Sequence, residues 1–135
     1  MATFLWALVI IAVGFALFVR FAPSTTQRWH IPVEGAQNKD GANYALRVMS
    51  ADETTMARAH KAMMALPRTT VLAGSPETGA VTYVTRSKLM GYPDYTTINQ
   101  TGHMLKIYAR SRFGRSDFGV NAARADRLVA AIEAG

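Results

Sequence analysis

The sequence predicts an α+β fold, with one N-terminal transmembrane helix followed by a small two-layer domain. The predicted domain has an antiparallel sheet of about five strands with two helices on one face. Three observations predict it: residues 2–19 carry no charge, strand-like runs follow one another through short turns, and two amphipathic helical patterns flank these runs. Short connections join antiparallel neighbours, and each one-sided helix must bury its apolar stripe on the sheet.

The first element is a candidate membrane anchor, predicted over residues 1–21. Its apolar run would form a helix of about 27 Å, close to the thickness of the hydrocarbon core of a bilayer. Trp6 and Arg20 suit the two membrane interfaces, and Gly14 is one of the small residues that let another helix approach. A cleaved signal peptide is the alternative, but the run lacks the basic start and the Ala-x-Ala end that are typical of one.

The charge of the chain lies entirely after this run. Fifteen Lys and Arg against nine Asp and Glu give a formal net charge of +6. Such a balance is typical of proteins that bind nucleic acid or an anionic surface, and beside a bilayer the lipid headgroups are the nearer anion. We therefore expect membrane lipids, and no nucleic acid, as partners. The absence of cysteine excludes disulfides and a thiolate site.

Residues 22–43 are predicted to be a linker, because Pro, Gly, Ser, Thr and Asn interrupt every helical or strand period there. The α+β domain is predicted over residues 44–135. Its first strand is expected at residues 44–48. Ser50 and Glu53 then form a capping-box pattern that predicts the start of a helix ending at Pro67.

Four strand-like runs follow this helix. The first two, residues 69–73 and 80–86, flank a turn rich in Gly, Ser and Pro and predict a hairpin. Residues 95–100 and 104–112 each follow a turn that contains Gly. An apolar stripe in the last segment predicts a C-terminal helix, whose N-cap is expected at Asp117 or Asn121.

Convergent catalytic groups are not visible in this sequence. The three histidines fall in the linker, the first domain helix and a turn, without metal-ligand spacing. No nucleophile elbow, phosphate loop or dinucleotide motif is present. The sequence therefore predicts a protein that is not an enzyme and has no cofactor or metal.

The densest polar segment is residues 108–117. Strand alternation places its first basic residues on one face of the last strand, and an arginine late in an earlier strand is expected on the same face. A phosphate or carboxylate, such as a lipid headgroup, is the ligand that arginine forks suit. The candidate site consists of Arg86, Arg110, Arg112, Arg115 and Asp117. The alternative is a solvated sheet face on which Asp117 pairs with Arg115.

The sequence Ser-Arg-Phe-Gly-Arg-Ser-Asp-Phe-Gly-Val-Asn at residues 111–121 closely resembles the signature of the bacterial and plastid family catalogued as domain of unknown function 1499. Gly-Tyr-Pro-Asp at residues 91–94 is similar to the family's Gly-Phe-Pro-Asp turn, and residues 20–30 resemble the same segment of membrane-anchored members. Tyr95 departs from the pattern, since members often have a second acidic residue there. The resemblance implies a secreted or membrane-attached domain without an established activity, and it supplies no catalytic residues.

Two functions follow as expectations. The first is a non-catalytic accessory subunit or interaction partner of a larger membrane protein complex. The second is a module that binds anionic lipid or a small anion through its arginine-rich sheet face. The positive-inside count of Arg20, Arg28 and Lys39 places the domain in the cytoplasm, whereas the resemblance implies export. We expect a bacterial inner-membrane protein with a periplasmic domain.

Overall fold

The α+β architecture is confirmed in the computed structural model, which describes residues 1–135. Six antiparallel strands form one sheet in the order β1-β2-β6-β5-β4-β3. The elements are α1 (Ala2–Phe21), α2 (Thr26–Trp29), β1 (Lys39–Asp40), β2 (Tyr44–Ser50), α3 (Thr55–Met64), β3 (Thr69–Ser75), β4 (Ala80–Arg86), β5 (Pro93–Thr101), β6 (Met104–Ser111) and α4 (Val120–Ala134), with a 3₁₀ turn at Pro76–Thr78.

The start of α3 differs from the sequence prediction, because the capping box of Ser50 and Glu53 does not form. Ser50 instead ends β2, and the backbone N–H of Ala51 donates to the carbonyl of His103 at 2.7 Å, which keeps this stretch with the sheet. Asp52, and not Ser50, makes the side-chain hydrogen bonds just before the start of α3. Its carboxylate accepts hydrogen bonds from the backbone N–H and the hydroxyl of Thr54, at 2.8 and 2.7 Å.

One face of the sheet carries the main core, under α3 and α4. Alternate side chains of each strand point to this face because the side-chain period of a strand is two residues. Burying each large apolar side chain contributes about 1.5–3 kcal/mol, so this cluster holds the two layers together. Its largest members include Met63, Tyr83, Ile98, Leu105, Ile107, Leu128 and Ile132.

The opposite face is covered by the residues that were predicted as a linker. The indole of Trp29 stacks on the ring of Tyr95, with centroids 3.8 Å apart and planes at 9°. Val84 completes this second, smaller apolar cluster. His30 Nδ1 lies 2.7 Å from the hydroxyl of Thr82, which adds a polar contact between the linker and the sheet. Residues 22–43 thus form a covering layer that includes the short helix α2, except that β1 joins the sheet itself as the edge strand beside β2.

The end of α1 meets the sheet at one edge, which we call the basal edge. At this edge β4 and β6 end and β5 begins, so the loops at residues 87–92 and 112–119 both lie there. By length and composition α1 is a candidate membrane span, and only 6% of its apolar window is buried within the protein. Its fully buried residue is Val19, in the last turn.

Candidate anion-binding site at the base of the anchor helix

The C-terminal end of α1 is the starting point of the site, because the last carbonyls of a helix have no partner within the helix. The guanidinium of Arg86, from the end of β4, donates to the carbonyl of Val19 at 3.4 Å and to that of Gly91 at 2.8 Å. A cation is also favoured there by the negative end of the helix dipole. Arg86 therefore joins the sheet to the anchor helix.

A second arginine reaches the same place from the residue that follows β6. Arg112 Nη1 donates to the carbonyl of Pro23 at 2.9 Å and to the hydroxyl of Tyr95 at 3.4 Å. Only one of its terminal nitrogens is used in these bonds. The other N–H groups of Arg112 are free to bind an anion, and its guanidinium also lies over the ring of Phe113, 5.4 Å from the centroid.

Phe113 packs against the anchor helix itself. Its ring meets Phe15 and Phe18 edge to face, with centroids 6.5 and 5.9 Å apart, and Tyr92 lies on its other side at 6.1 Å. Aromatic pairs of this geometry contribute about 0.5–1.5 kcal/mol each beyond the area they bury. The loop after β6 is thereby fixed along the last two turns of α1.

Arg20 lies at the same base, over the turn that contains Gly91. A side chain at Gly91 would place its Cβ 3.2 Å from Nε of Arg20, and the φ angle of +70° favours glycine independently. Arg20 itself is exposed and makes no hydrogen bond to the protein. This arrangement gives the Gly-Tyr-Pro-Asp turn a structural reason for its first residue.

Two further cations lie in the basal loops, Lys88 before Gly91 and Arg115 after Phe113, and both are exposed. Neither forms an ion pair, since the four ion pairs of the structure involve Arg47, Arg58 and Arg124. We call the whole set the anchor-base cluster, and it consists of Arg20, Arg86, Lys88, Arg112 and Arg115.

Asp117 does not pair with Arg115. Its carboxylate accepts the backbone N–H groups of Gly119 and Asn121, at 2.8 and 3.1 Å, and the side-chain amide of Asn121 at 2.6 Å. The N-cap of α4 is Gly119, not Asp117 or Asn121 as the sequence predicted, and Asp117 accepts N–H groups of the first turn from two residues before it, where a carboxylate is favoured by the helix dipole. The anchor-base cluster keeps its positive charge as a result.

Arg110 does not face solvent with the other arginines. It is 6% exposed and donates to the hydroxyl of Thr97 at 2.7 Å, to the carbonyl of Tyr108 at 3.0 Å, and to the carbonyl of Trp29. Burial lowers the pKa of its guanidinium to about 10. This arginine fastens residues 22–43 to the sheet, and the linker covers the arginine-rich face in its middle part.

The predicted anchor residues Trp6 and Gly14 stand apart from the cluster. Trp6 is 67% exposed, on the first turns of α1, and no atom outside the helix lies within 4 Å of a Cβ built at Gly14. Of the three predicted anchor residues, only Arg20 contacts the domain. The sheet and the anchor thus bring together Arg20, Arg86 and Arg112, with Arg115 in the adjoining loop.

Several residues of this base could not be identified from strand alternation. Leu89 and Phe118 are large apolar side chains in the two basal loops, and they are 89% and 95% exposed. Phe118 also adopts a φ angle of +53°, which a non-glycine residue rarely does. The signal available in the sequence was their position in two short loops that also carry lysine and arginine. Such a pattern of apolar tips among cations is typical of surfaces that meet a bilayer interface.

The fold and the site together define a class: a small α+β domain whose basal edge holds the end of an apolar N-terminal helix among unpaired cations. The family described as Protein of unknown function (DUF1499) matches residues 24–132. Because the match covers most of the chain, this protein belongs to that family, and the resemblance seen in the signature loop is confirmed. No match to a curated protein was found.

Proposed function

We propose that this is a single-pass membrane protein whose domain rests on the bilayer surface and binds anionic phospholipid headgroups at the base of its anchor. The single observation that carries the proposal is the convergence of Arg86 and Arg112 on the carbonyls that end α1 and follow it. If α1 spans a bilayer, this point lies at the level of the lipid headgroups.

The charges of the base support a lipid ligand. A guanidinium presents a planar fork of N–H donors that matches the oxygens of a phosphate, and cations at the C-terminal end of a helix are also favoured electrostatically. None of the five cations of the anchor-base cluster is neutralised by a carboxylate. Each Lys or Arg near an anionic membrane surface contributes about 1 kcal/mol of attraction.

The apolar residues of the base support the same placement. Leu89 and Phe118 expose nearly their whole side chains at the basal edge, where water gives them no favourable partner. Phe113 already lies against the part of α1 that would be near the interface. In the proposed orientation the two exposed side chains enter the acyl boundary while the cations meet the phosphates.

The experiment is a lipid-selectivity measurement on the full chain in phosphatidylcholine bilayers, with spin-labelled phosphatidylglycerol and spin-labelled phosphatidylcholine as probes. We expect the anionic lipid to associate preferentially. The double variant Arg112→Gln with Arg115→Gln removes two cations and should reduce the preference by about tenfold or more. Lys39→Gln with Lys61→Gln removes the same charge elsewhere and serves as the control.

Equal association of both lipids with the unmodified protein would contradict the proposal. An equal loss in the lysine control and the arginine variant would contradict it too, because the effect would then reflect net charge alone and not the anchor base.

A second candidate function is that of a non-catalytic accessory subunit of a larger membrane complex. It is favoured by the open surface of α1, where Ala7 and Gly14 lie seven residues apart on one side, and a Cβ at Gly14 would meet no atom outside the helix. Small residues let a neighbouring transmembrane helix approach closely. Native gel separation in a mild detergent tests this candidate, and migration as a monomer beside intact complexes would contradict it.

The proposed location is the bacterial inner membrane, with the domain on the periplasmic side. Export is supported by the family resemblance, and it is opposed by the positive-inside count. Reporter fusions at Gly135 decide the orientation.

A further inference from the structure

A cleft lies on the other face of the sheet, between α3 and α4. Its volume is about 360 Å³. Sites for small molecules typically enclose roughly 300–1,000 Å³, so this cleft has room for a small ligand. Pro67, Ser87 and Asp94 belong to its lining, which places it at the basal edge of the sheet. The sheet separates it from residues 22–43.

The floor of the cleft is apolar. Leu66 follows α3, and Leu128 and Ala131 lie on α4, so these residues form an apolar surface, beside which Thr85 of β4 also lines the cleft. Leu128 is 4% exposed, and this surface is therefore continuous with the main core. An apolar group of a ligand would find dispersion contacts and no unsatisfied polar atoms there.

The rim of the cleft is positively charged. Arg68, Arg86, Arg124 and Arg127 line it together with one carboxylate, Asp94. Arg124 donates to Asp94 at 3.1 Å, and both side chains are 16% exposed. Burial raises the pKa of Asp94, and Arg124 opposes this shift. The guanidinium of Arg124 is therefore already paired with the carboxylate of Asp94.

Arg68 and Arg127 have N–H donors that no group of the protein accepts. Arg127 makes no hydrogen bond and no ion pair, and Arg68 uses only Nε, which donates to the carbonyl of Arg86 at 2.9 Å. Arg86 also lines the cleft, but its Nη1 binds carbonyls at the anchor base. Arg68 and Arg127 are therefore the two lining cations that have no carboxylate partner and are not engaged at the anchor base.

Arg68 has a strained backbone conformation. Its φ angle is +54°, in the left-handed region that glycine adopts more easily, so the backbone of this arginine is strained. Its carbonyl accepts the backbone N–H of Arg86 at 3.0 Å, which fixes the turn. A glycine would satisfy the backbone at this position, whereas the arginine adds a cation at the mouth of the cleft.

We propose that this cleft binds a small amphipathic anion, a phosphate or carboxylate that carries a short apolar group. Arg68 and Arg127 bind the anionic head, and the apolar group lies on Leu66 and Leu128. This inference goes beyond the proposed function, since it concerns a different face of the sheet and rests on Arg68 and Arg127, which do not belong to the anchor-base cluster. The same chemistry is available from a membrane lipid and from a free amphiphile.

The probe is hexyl phosphate, titrated calorimetrically into the full chain in nanodiscs of phosphatidylcholine, with empty nanodiscs as the blank. We expect one molecule to bind per chain. Inorganic phosphate and hexanol each supply half of the interaction, so each should bind at least about tenfold more weakly than hexyl phosphate. Binding of inorganic phosphate as tight as that of hexyl phosphate would overturn the proposal, as would no binding of hexyl phosphate.

Two variants locate the site. Arg127→Gln removes an exposed cation and should weaken hexyl phosphate by at least about tenfold without a change in melting temperature. Arg68→Gly should weaken it similarly while the protein melts no lower, since the glycine relieves the backbone. Lys61→Gln removes an exposed charge from α3 and is the matched control. Unchanged affinity in Arg127→Gln would contradict the assignment.

The anchor-base variant Arg112→Gln with Arg115→Gln separates the two proposals. It should leave hexyl phosphate binding unchanged even if it abolishes lipid selectivity, and a loss of both would contradict the cleft as an independent site. Adding phosphatidylglycerol to the nanodiscs identifies the source of the ligand. Competition that disappears in Arg127→Gln indicates a membrane lipid, and an absence of competition indicates a free amphiphile; both results support the cleft.

Discussion

The ring of Phe18 in α1 meets the ring of Phe113 in the signature loop edge to face, with centroids 5.9 Å apart and planes at 81°. Arg86 and Arg112 donate to two carbonyls that follow Phe18 in the chain, those of Val19 and Pro23. The domain is therefore attached to the end of α1 through side chains as well as through the chain. The angle between the domain and α1 is therefore fixed.

Replacing Phe113 by alanine should loosen that angle. We expect spin labels at Ile10→Cys and Thr101→Cys to give a narrow distance distribution in the otherwise unmodified chain and a broad one in Phe113→Ala. The chain has no cysteine of its own, which makes the labelling specific. Leu89→Ala, in the neighbouring loop, should leave the distribution narrow. Distributions of equal width in all three proteins would show that the aromatic contact does not hold the domain.

The stack of Trp29 on Tyr95 should stabilise the layer formed by residues 22–43. Trp29→Ala should lower the free energy of unfolding by about 3 kcal/mol, the usual cost of deleting a buried aromatic side chain. Tyr95→Phe keeps the stack and loses the hydroxyl contacts with Ser24 and Arg112, so about 1 kcal/mol is expected. Thermal unfolding followed by circular dichroism checks both values. Trp6→Ala is the control, and a Trp29 variant that melts like it would refute the stack's role.

Arg110 and Arg115 should have opposite phenotypes. Arg110→Met leaves the hydroxyl of Thr97 and the carbonyl of Trp29 without their donor, which should cost about 1–3 kcal/mol of stability and leave lipid selectivity unchanged. Arg115→Gln should reduce lipid selectivity and leave the melting temperature unchanged. Melting curves and spin-labelled lipid association separate the two effects. The reverse result, in which only the Arg110 variant loses lipid selectivity, would contradict this assignment. It would place the lipid site at the middle of the sheet face.

Asp52 should make stability depend on acidity. Hydrogen bonds from Thr54 and Thr55 lower the pKa of its carboxyl from 3.8 to about 2 in the folded protein. A lowered pKa means that the carboxylate stabilises the fold above pH 3.8, and that this contribution is lost as the pH falls to about 2. Asp52→Asn should therefore melt below the unmodified protein at pH 7, with a difference that vanishes near pH 2. Glu53→Gln is the control, and a difference that persists at pH 2 would count against this cap.

The order of the elements from β2 to α4 could be predicted from the sequence because it depends on local patterns, whereas α2 and β1 lie in the stretch predicted to be a linker. Period-two runs, an apolar stripe every three to four residues, and turn residues are each read within a short window. The exception at the start of α3 is also local. Ser50 and Glu53 match a capping box, but the hydrogen bond from Ala51 to His103 keeps this segment in the sheet, and Asp52 caps in their place.

The candidate site could be predicted only in part. Alternation predicts Arg110 and Arg112 on one face of the last strand; Arg112 follows the end of β6, and both residues contact the layer of residues 22–43. It could not predict that Trp29, 81 residues away in sequence, would cover Arg110 and leave the basal edge open. Which cations remain accessible is decided by contacts between distant segments, and these have no signature in a single strand.

The most direct measurement of the central claim is the depth of the basal loops at an anionic bilayer. Labels at Leu89→Cys and Phe118→Cys in the full chain should be more accessible to oxygen in the lipid than to a water-soluble nickel chelate. A label at Thr101→Cys, at the far end of a nine-residue strand, should show the opposite. Full exposure of all three labels to the aqueous chelate would contradict the account, because the base of the domain would then not meet the membrane.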